Sequence, residues 1–299
     1  MQGFKVEKSK LRREVLKVTY LSEKFVEKRL ENSIEEDQSK SNKKTERILL
    51  ELDGCHLRTG VKVPSERVGL TKVRKIKKSS RKIEWKETRV AFARPVEKKK
   101  ERTYVAKMAK YPEIIEQLIG AAYDQGWFSE SQIFTVSDGG TGLKESLEKA
   151  FSPFQFILDR PHLTKHIYEG VDAMDLPKNL ITSVKDFLLS LIDSGQVELV
   201  INKLQDYQGP SAKKIENLAN YLIRFKDCVH YDKFKSLGLP IGSGEVESAH
   251  KYIPQKRLKV LPNFTCKTDS NCEYGSAGAI LAPLLTKRFS YISYVTEAE

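Results

Sequence analysis

The chain has 299 residues, 39% hydrophobic and 31% charged, with a formal net charge of +12 and a pI near 9.3. That is enough apolar material for one large core or two ordinary ones. No run approaches the ~18 apolar residues of a membrane span, and the start Met1-Gln-Gly-Phe-Lys lacks the apolar centre of a secretory signal. A basic excess of this size points to a polyanionic partner, nucleic acid before anionic membrane. Cys55, Cys228, Cys266 and Cys272 form no Cys-x-x-Cys pair and read as reduced thiols of a cytosolic protein.

Residues 1–46 are mostly Lys and Glu. Leu11, Val15, Val18, Leu21, Phe25 and Leu30 recur at three- and four-residue steps, which predicts one amphipathic helix that packs on a neighbour or reads DNA. The apolar-free run 35–45 follows as a linker. The first strand is expected at about 48–53, with Gly54 and Gly60 bracketing a turn region. Residues 71–82 carry Lys72, Arg74, Lys75, Lys77 and Lys78, and read either as a solvated loop or as a phosphate-contacting arm. Strands at 85–93 and 103–106, joined by a charged turn, complete an antiparallel meander with the first.

Pro112 opens a helix whose face is Ile114, Ile115, Leu118, Ile119 and Ala122, and Gly126 ends it. A strand at 133–137, a short helix at 143–150 and a strand at 154–158 follow, and Pro161 opens another helix. From about 163 to 238 no strand pattern is visible. The stretches 179–194, 197–207 and 212–229 all have helical spacing, broken at Gly195 and Gly209-Pro210. An alternating α/β region is therefore interrupted by a helical block.

The block ends at Leu239-Pro-Ile-Gly-Ser-Gly-Glu-Val-Glu-Ser-Ala-His250, where two glycines and a serine lead into a helix bearing carboxylates. Two other carboxylates look built to meet it. Asp53 ends the apolar run Ile48–Leu52 and Asp138 ends Ile133–Ser137, each followed by Gly. A buried strand that stops at Asp-Gly delivers a carboxylate to the strand's C-terminal edge. Three gathered carboxylates make a site for hard divalent cations and two-metal phosphoryl chemistry. On a helix, residues two apart project about 200° from each other, so Glu245 and Glu247 cannot both face one metal. With Ser243 as N-cap, Glu245 is accounted for by the helix dipole. In Leu158-Asp-Arg-Pro-His162, Asp159 caps the following helix or, with His162, lies beside the metal site. His56, His166, His230 and His250 show no ligand spacing and read as ordinary surface or half-buried histidines.

In order, Leu52-Asp-Gly-Cys-His56, Val136-Ser-Asp-Gly-Gly140, Leu158-Asp-Arg-Pro-His162 and Ile241–His250 with Gln255-Lys-Arg-Leu-Lys259 resemble bacterial insertion-sequence transposases of the DDE type. The nearest group is the Kra-type family, related to the Mutator-like superfamily. The resemblance covers about residues 47–260. It implies an α/β, ribonuclease-H-like mixed sheet with a helical insertion between the second catalytic Asp and the catalytic Glu. The core would occupy 47–162 and 239–260, the insertion 163–238, with an N-terminal helical remnant and linker at 1–46 and a divergent tail at 261–299.

The resemblance further implies Asp53, Asp138 and Glu247 as the metal-binding triad for two Mg²⁺ or Mn²⁺ ions, with Asp159 and His162 as accessory residues. Lys256, Arg257 and Lys259 become DNA contacts, and Pro254 kinks or ends the Glu247 helix. The expected partners are the element's ends and target DNA, with no membrane, in a homo-oligomer when active, in the bacterial cytoplasm at the nucleoid. Against the family pattern, most of the N-terminal DNA-binding region is expected to be missing. Leu261–Cys272 matches nothing in the family's C-terminal pattern, as a frameshift or a decayed copy would leave it. A nuclease of the same fold and a catalytically dead DNA-binding remnant are the competing readings.

Overall fold

The structure, a computed structural model, describes residues 44–63, 80–108, 111–255 and 267–268, and scattered helical positions within 17–32; for 58–63, 80–83, 112, 255 and 267–268 it describes backbone alone. Strands β1 (Arg47–Val63), β2 (Ser80–Pro95) and β3 (Thr103–Lys107) form the antiparallel meander. Helix α1 (Tyr111–Asp124) leads to β4 (Gln132–Ser137), then α2 (Leu143–Ala150) and β5 (Phe154–Leu158). β4 pairs parallel with β1 and β5 parallel with β4, so the sheet order is β3-β2-β1-β4-β5. A two-residue strand, β6 (Lys267–Thr268), pairs with the far end of β1. The protein is thus α/β with a mixed five-strand sheet, the ribonuclease-H-like arrangement.

After β5 come α3 (Arg160–Val171), α4 (Lys178–Asp193), α5 (Val197–Gln205), α6 (Ala212–Phe225), α7 (Tyr231–Ser236) and α8 (Gly244–His250), the last running into a π-helical turn at Lys251–Gln255 that contains Pro254. Among the described residues from 160 to 250 there is no strand, as the helical spacing predicted. Leu163 and Ile167 of α3, Ile192 of α4, Val200 of α5 and Leu222 of α6 are buried in the same cluster as the sheet. The helical block therefore shares the sheet's core. Phe225 of α6 reaches Phe156 of β5, their rings 6.1 Å apart.

One expectation changes. β1 does not stop at Asp53, and Gly54 and Gly60 lie inside it. The register with β2 runs unbroken from Ile48 opposite Pro95 to Val63 opposite Ser80. Past its ladder with β4, β1 stays paired to β2 and, at its far end, to β6, because ladder hydrogen bonds to a continuous partner outweigh the weak strand preference of glycine. Residues 64–79, between the strands, hold Lys72, Arg74, Lys75, Lys77 and Lys78 and lie outside the described residues, as do Lys256, Arg257 and Lys259. Of the helix expected in residues 1–46, Leu11, Val15, Val18 and Leu30 lie outside the described residues. The described positions within 17–32 are helical, but Leu21 and Phe25 are exposed there, and Arg29 pairs with Asp124 at the end of α1 at 2.8 Å.

α1 packs across β2 and β3, while α8 packs across β1 and β2. This explains why Ile48, Leu49, Leu50 and Leu52 are all fully buried, although alternate residues of a strand face opposite sides.

Candidate active site

Three carboxylates lie at one edge of three adjacent parallel strands: Asp138 and Asp159 directly follow β4 and β5, while Asp53 lies inside β1, just past its ladder with β4. Glu51 is opposite Val136 in the β1–β4 ladder, so two residues on, Asp53 aligns with Asp138. Ser137 is opposite Leu158 in the β4–β5 ladder, so one residue on, Asp138 aligns with Asp159. The ladder is tied at this edge: Ser137 Oγ donates to the Leu52 carbonyl at 2.5 Å, and the Asp159 N–H donates to the Ser137 carbonyl at 2.9 Å. The C-terminal edge of a parallel sheet is where α/β folds place their sites.

The three acids do different work. Asp159 is 1% exposed, and both its oxygens are occupied. One accepts the His162 N–H at 2.8 Å, capping α3, and the other accepts the Ser243 N–H at 2.7 Å. With the Arg160 N–H donating to the Ile241 carbonyl at 2.8 Å, this pins the Gly-Ser-Gly segment to the end of β5. Asp159 is therefore both a helix cap, one of the two roles the sequence offered for it, and a clamp on the Gly-Ser-Gly segment, which the sequence did not suggest.

Asp53 keeps one oxygen on its neighbour's N–H (Gly54, 2.7 Å) and the other 3.3 Å from His250 Nε2. Burial raises its pKa above the ordinary carboxylate range; His250 and the Gly54 N–H pull it back, and the negative charge of Asp138 pushes it up again. Asp138 is half-buried and accepts the Gly140 N–H at 3.1 Å. The structure thus brings Asp53 and Asp138 into mutual electrostatic contact at one edge, with the His162 charge also acting on Asp53.

α8 supplies the remaining acids. Glu245 accepts from Arg94 Nη2 at 2.7 Å and Nε at 3.2 Å, and from Arg102 at 3.1 Å. Its carboxylate is thus committed to holding α8 on β2. Glu247 is exposed, with Oε1 3.5 Å from Ser243 Oγ. Glu247 and His250 are three residues apart on the helix, hence neighbours on one side. Among the described residues no group of three or more His, Cys, Asp or Glu side chains is assembled closely enough to hold a metal ion.

Sequence reasoning missed four features. His250 is buried against Asp53 rather than an ordinary histidine. His166 belongs to a ring ladder, 5.6 Å from His162 and 4.6 Å from Tyr221, and burial followed by the His162 charge lowers its pKa. Tyr221 of α6 stands against the Asp138 turn. Glu51 and Arg94 form a buried polar layer beneath α8, with Glu51 Oε2 accepting the Val246 N–H at 2.9 Å. A single Glu in an apolar strand and a single Arg in another carry no local sign that they will meet.

The chain matches no protein-family model and no curated protein.

Proposed function

We propose that this protein is a DDE-type transposase core that cuts and joins DNA strands with divalent metal, moving an insertion sequence. The observation that carries the reading is the alignment of Asp53, just past the β1–β4 ladder, with Asp138, directly after β4, and the Glu247 helix laid across β1. The formal charge of +12 supports a polyanionic substrate. No helix among the described residues is long and apolar enough to cross a membrane.

The donor set fits Mg²⁺ or Mn²⁺ in kind. Carboxylate oxygens are the ligands hard divalent ions select, and the upward push of Asp138 on Asp53 is the repulsion a cation between them would relieve. Asp53 and Asp138 would hold the ions, with Glu247 joining from α8. Bound there, two ions supply Lewis-acid stabilisation of phosphoryl oxygens and a more acidic attacking water. The chain's own residues hold this arrangement. Asp159 fixes the segment before α8, Glu245 fixes α8 to Arg94, and His250 orients Asp53. Basic residues of the 71–78 arm and of 256–259 would contact phosphates, which positions a strand without reading its sequence. The active form would be a homo-oligomer on element ends and target DNA in the bacterial cytoplasm.

A second reading has one observation in its favour. Glu247 is exposed and among the described residues joins no assembled ligand group, as in a DNA-binding remnant that has lost cleavage. The experiment that separates them incubates the purified full chain with DNA carrying the element's ends and Mg²⁺ or Mn²⁺. Metal-dependent nicks and joined products support the transposase. Nicks without strand transfer leave a nuclease, and metal-independent binding alone leaves the remnant.

A further inference from the structure

The turn after β4, Asp138-Gly139-Gly140, is gripped by two phenols from different parts of the chain. A Cβ added at Gly139 would lie 2.6 Å from the Tyr221 hydroxyl and 2.9 Å from ring atoms of Tyr221 and Phe225. A Cβ added at Gly140 would lie 2.9 Å from the Tyr111 hydroxyl and 3.1 Å from Asp138 Oδ1. No real Cβ sits that close to either phenol, so the phenols approach only because both residues are glycine.

Each phenol is fixed from behind. Tyr111 opens α1, and the Arg89 guanidinium stacks on its ring 3.3 Å from the centroid. Tyr221 belongs to the helical block. Its ring lies 4.6 Å from His166 and 5.1 Å from Phe225, and its hydroxyl is buried without a hydrogen-bond partner among the described residues. Leaving a buried hydroxyl unsatisfied is costly, so packing, not hydrogen bonding, holds it on the turn. Burial, then the charges of Asp138 and Asp159, raise its pKa, which puts the phenol within electrostatic reach of the site.

We propose that Tyr111 and Tyr221 are positioning residues that clamp the Asp138-Gly139-Gly140 turn and so fix the Asp138 carboxylate for a divalent cation, with the helical block acting on the site through Tyr221. The inference rests on the reading of Asp53 and Asp138 as a cation-binding pair. It also gives Gly139 and Gly140 a steric role that the Asp-Gly signal alone does not.

The test is a pair of double-mutant cycles on the full chain. Mn²⁺ binding is followed by electron paramagnetic resonance and stability by urea unfolding. Gly140→Ala weakens Mn²⁺ binding by roughly 10-fold or more, in the range typical of residues that support a ligand from behind. Adding Tyr111→Phe removes the one tyrosine atom the new methyl meets, and restores affinity to within roughly threefold. Tyr221→Phe rescues Gly139→Ala only in part, because the ring contacts at 2.9 Å remain. In the Tyr111→Phe/Tyr221→Phe variant, Mn²⁺ affinity falls while the urea midpoint holds. Failure of Tyr111→Phe to rescue Gly140→Ala would mean that the methyl's clash is with Asp138 itself, and overturns the clamp. Equal Mn²⁺ affinity in the double Phe variant and the wild type overturns it as well. A wild-type chain that binds no Mn²⁺ overturns the cation-pair reading instead. The clamp then stands or falls on the urea midpoints, where zero coupling between positions 140 and 111 removes it.

Discussion

Glu51→Gln should make this fold less sensitive to alkaline pH. Glu51 is fully buried in β1, with Oε2 on the Val246 N–H at 2.9 Å and Oε1 without a hydrogen-bond partner among the described residues. Burial drives its pKa from 4.5 up to about 8; Glu245 adds to the rise, while the Val246 N–H, Arg94 and Arg102 oppose it. The native state therefore keeps a proton that the unfolded chain has released between those two pH values. Stability from this group is whole below the unfolded pKa and is lost as pH climbs through the folded one. A separation of this size corresponds to about 5 kcal/mol at most, and water entering on ionisation reduces it to about 2–4 kcal/mol. Gln stays neutral and can keep the Val246 hydrogen bond. Urea unfolding of both proteins from about pH 5.5 to 9 should show the wild type losing that much relative to the variant, since every other titrating group is common to the two. Parallel curves would refute the reasoning.

Removing Glu245 as Ala strands Arg94, which is 1% exposed. Among the described residues Arg94 then keeps the Pro95 and Val96 carbonyls as its hydrogen-bond acceptors, each at 2.9 Å. Breaking one side of such a pair costs about 2–4 kcal/mol by urea unfolding, and Arg94→Met in the same background should recover part of it. Asp159→Ala takes the acceptor from both the His162 and Ser243 N–H groups. The expected cost is about 2–4 kcal/mol, with faster proteolysis at 239–243, and Asp159→Asn should regain about half. Asp138→Asn should abolish metal-dependent cleavage while the salt dependence of DNA binding keeps its slope, because phosphate neutralisation belongs to Lys and Arg. Loss of both together would point to misfolding.

Much of this was legible in the sequence where the signal is local. Apolar runs that stop at Asp138 and Asp159 announce strand ends, and Pro161 after Asp159 announces a capped helix; the same signal at Asp53 misleads, since β1 runs on to Val63. The absence of alternation between 163 and 238 announces helices. What failed to show depends on contacts distant in sequence. The extension of β1 past Gly54 is dictated by β2, more than twenty residues away. Glu51 is a lone carboxylate in the apolar run Ile48–Leu52, and its partner, the Val246 N–H of α8, lies nearly two hundred residues later. The helix dipole explains Glu245 locally, yet its carboxylate is held by Arg94 and Arg102, which no spacing rule connects to it. Tyr221 sits in an amphipathic stripe and looks like any core aromatic, since nothing in α6 says that its hydroxyl will meet a glycine of another element.

The arrangement of α8 gives the strongest argument about which acid could act. A helix of seven residues has almost no stability of its own, because nucleation consumes most of what so few hydrogen bonds return. It must be held from outside, and the sheet holds it with carboxylates. Asp159 takes the N–H of its N-cap residue, Ser243, Glu51 takes the N–H of Val246, and Asp53 faces His250 near its end. Glu245 answers with the reverse polarity, giving its carboxylate to Arg94 of β2. Each of these acids is engaged in holding the helix. Glu247 is not: it is exposed, and among the described residues its carboxylate meets only Ser243 Oγ, at 3.5 Å. A carboxylate on a helix fixed this firmly, placed one turn before the residue that touches Asp53, has its backbone held while its side chain remains able to reorient. Those are the two conditions a ligand arriving from α8 must meet, and Glu245 fails the second.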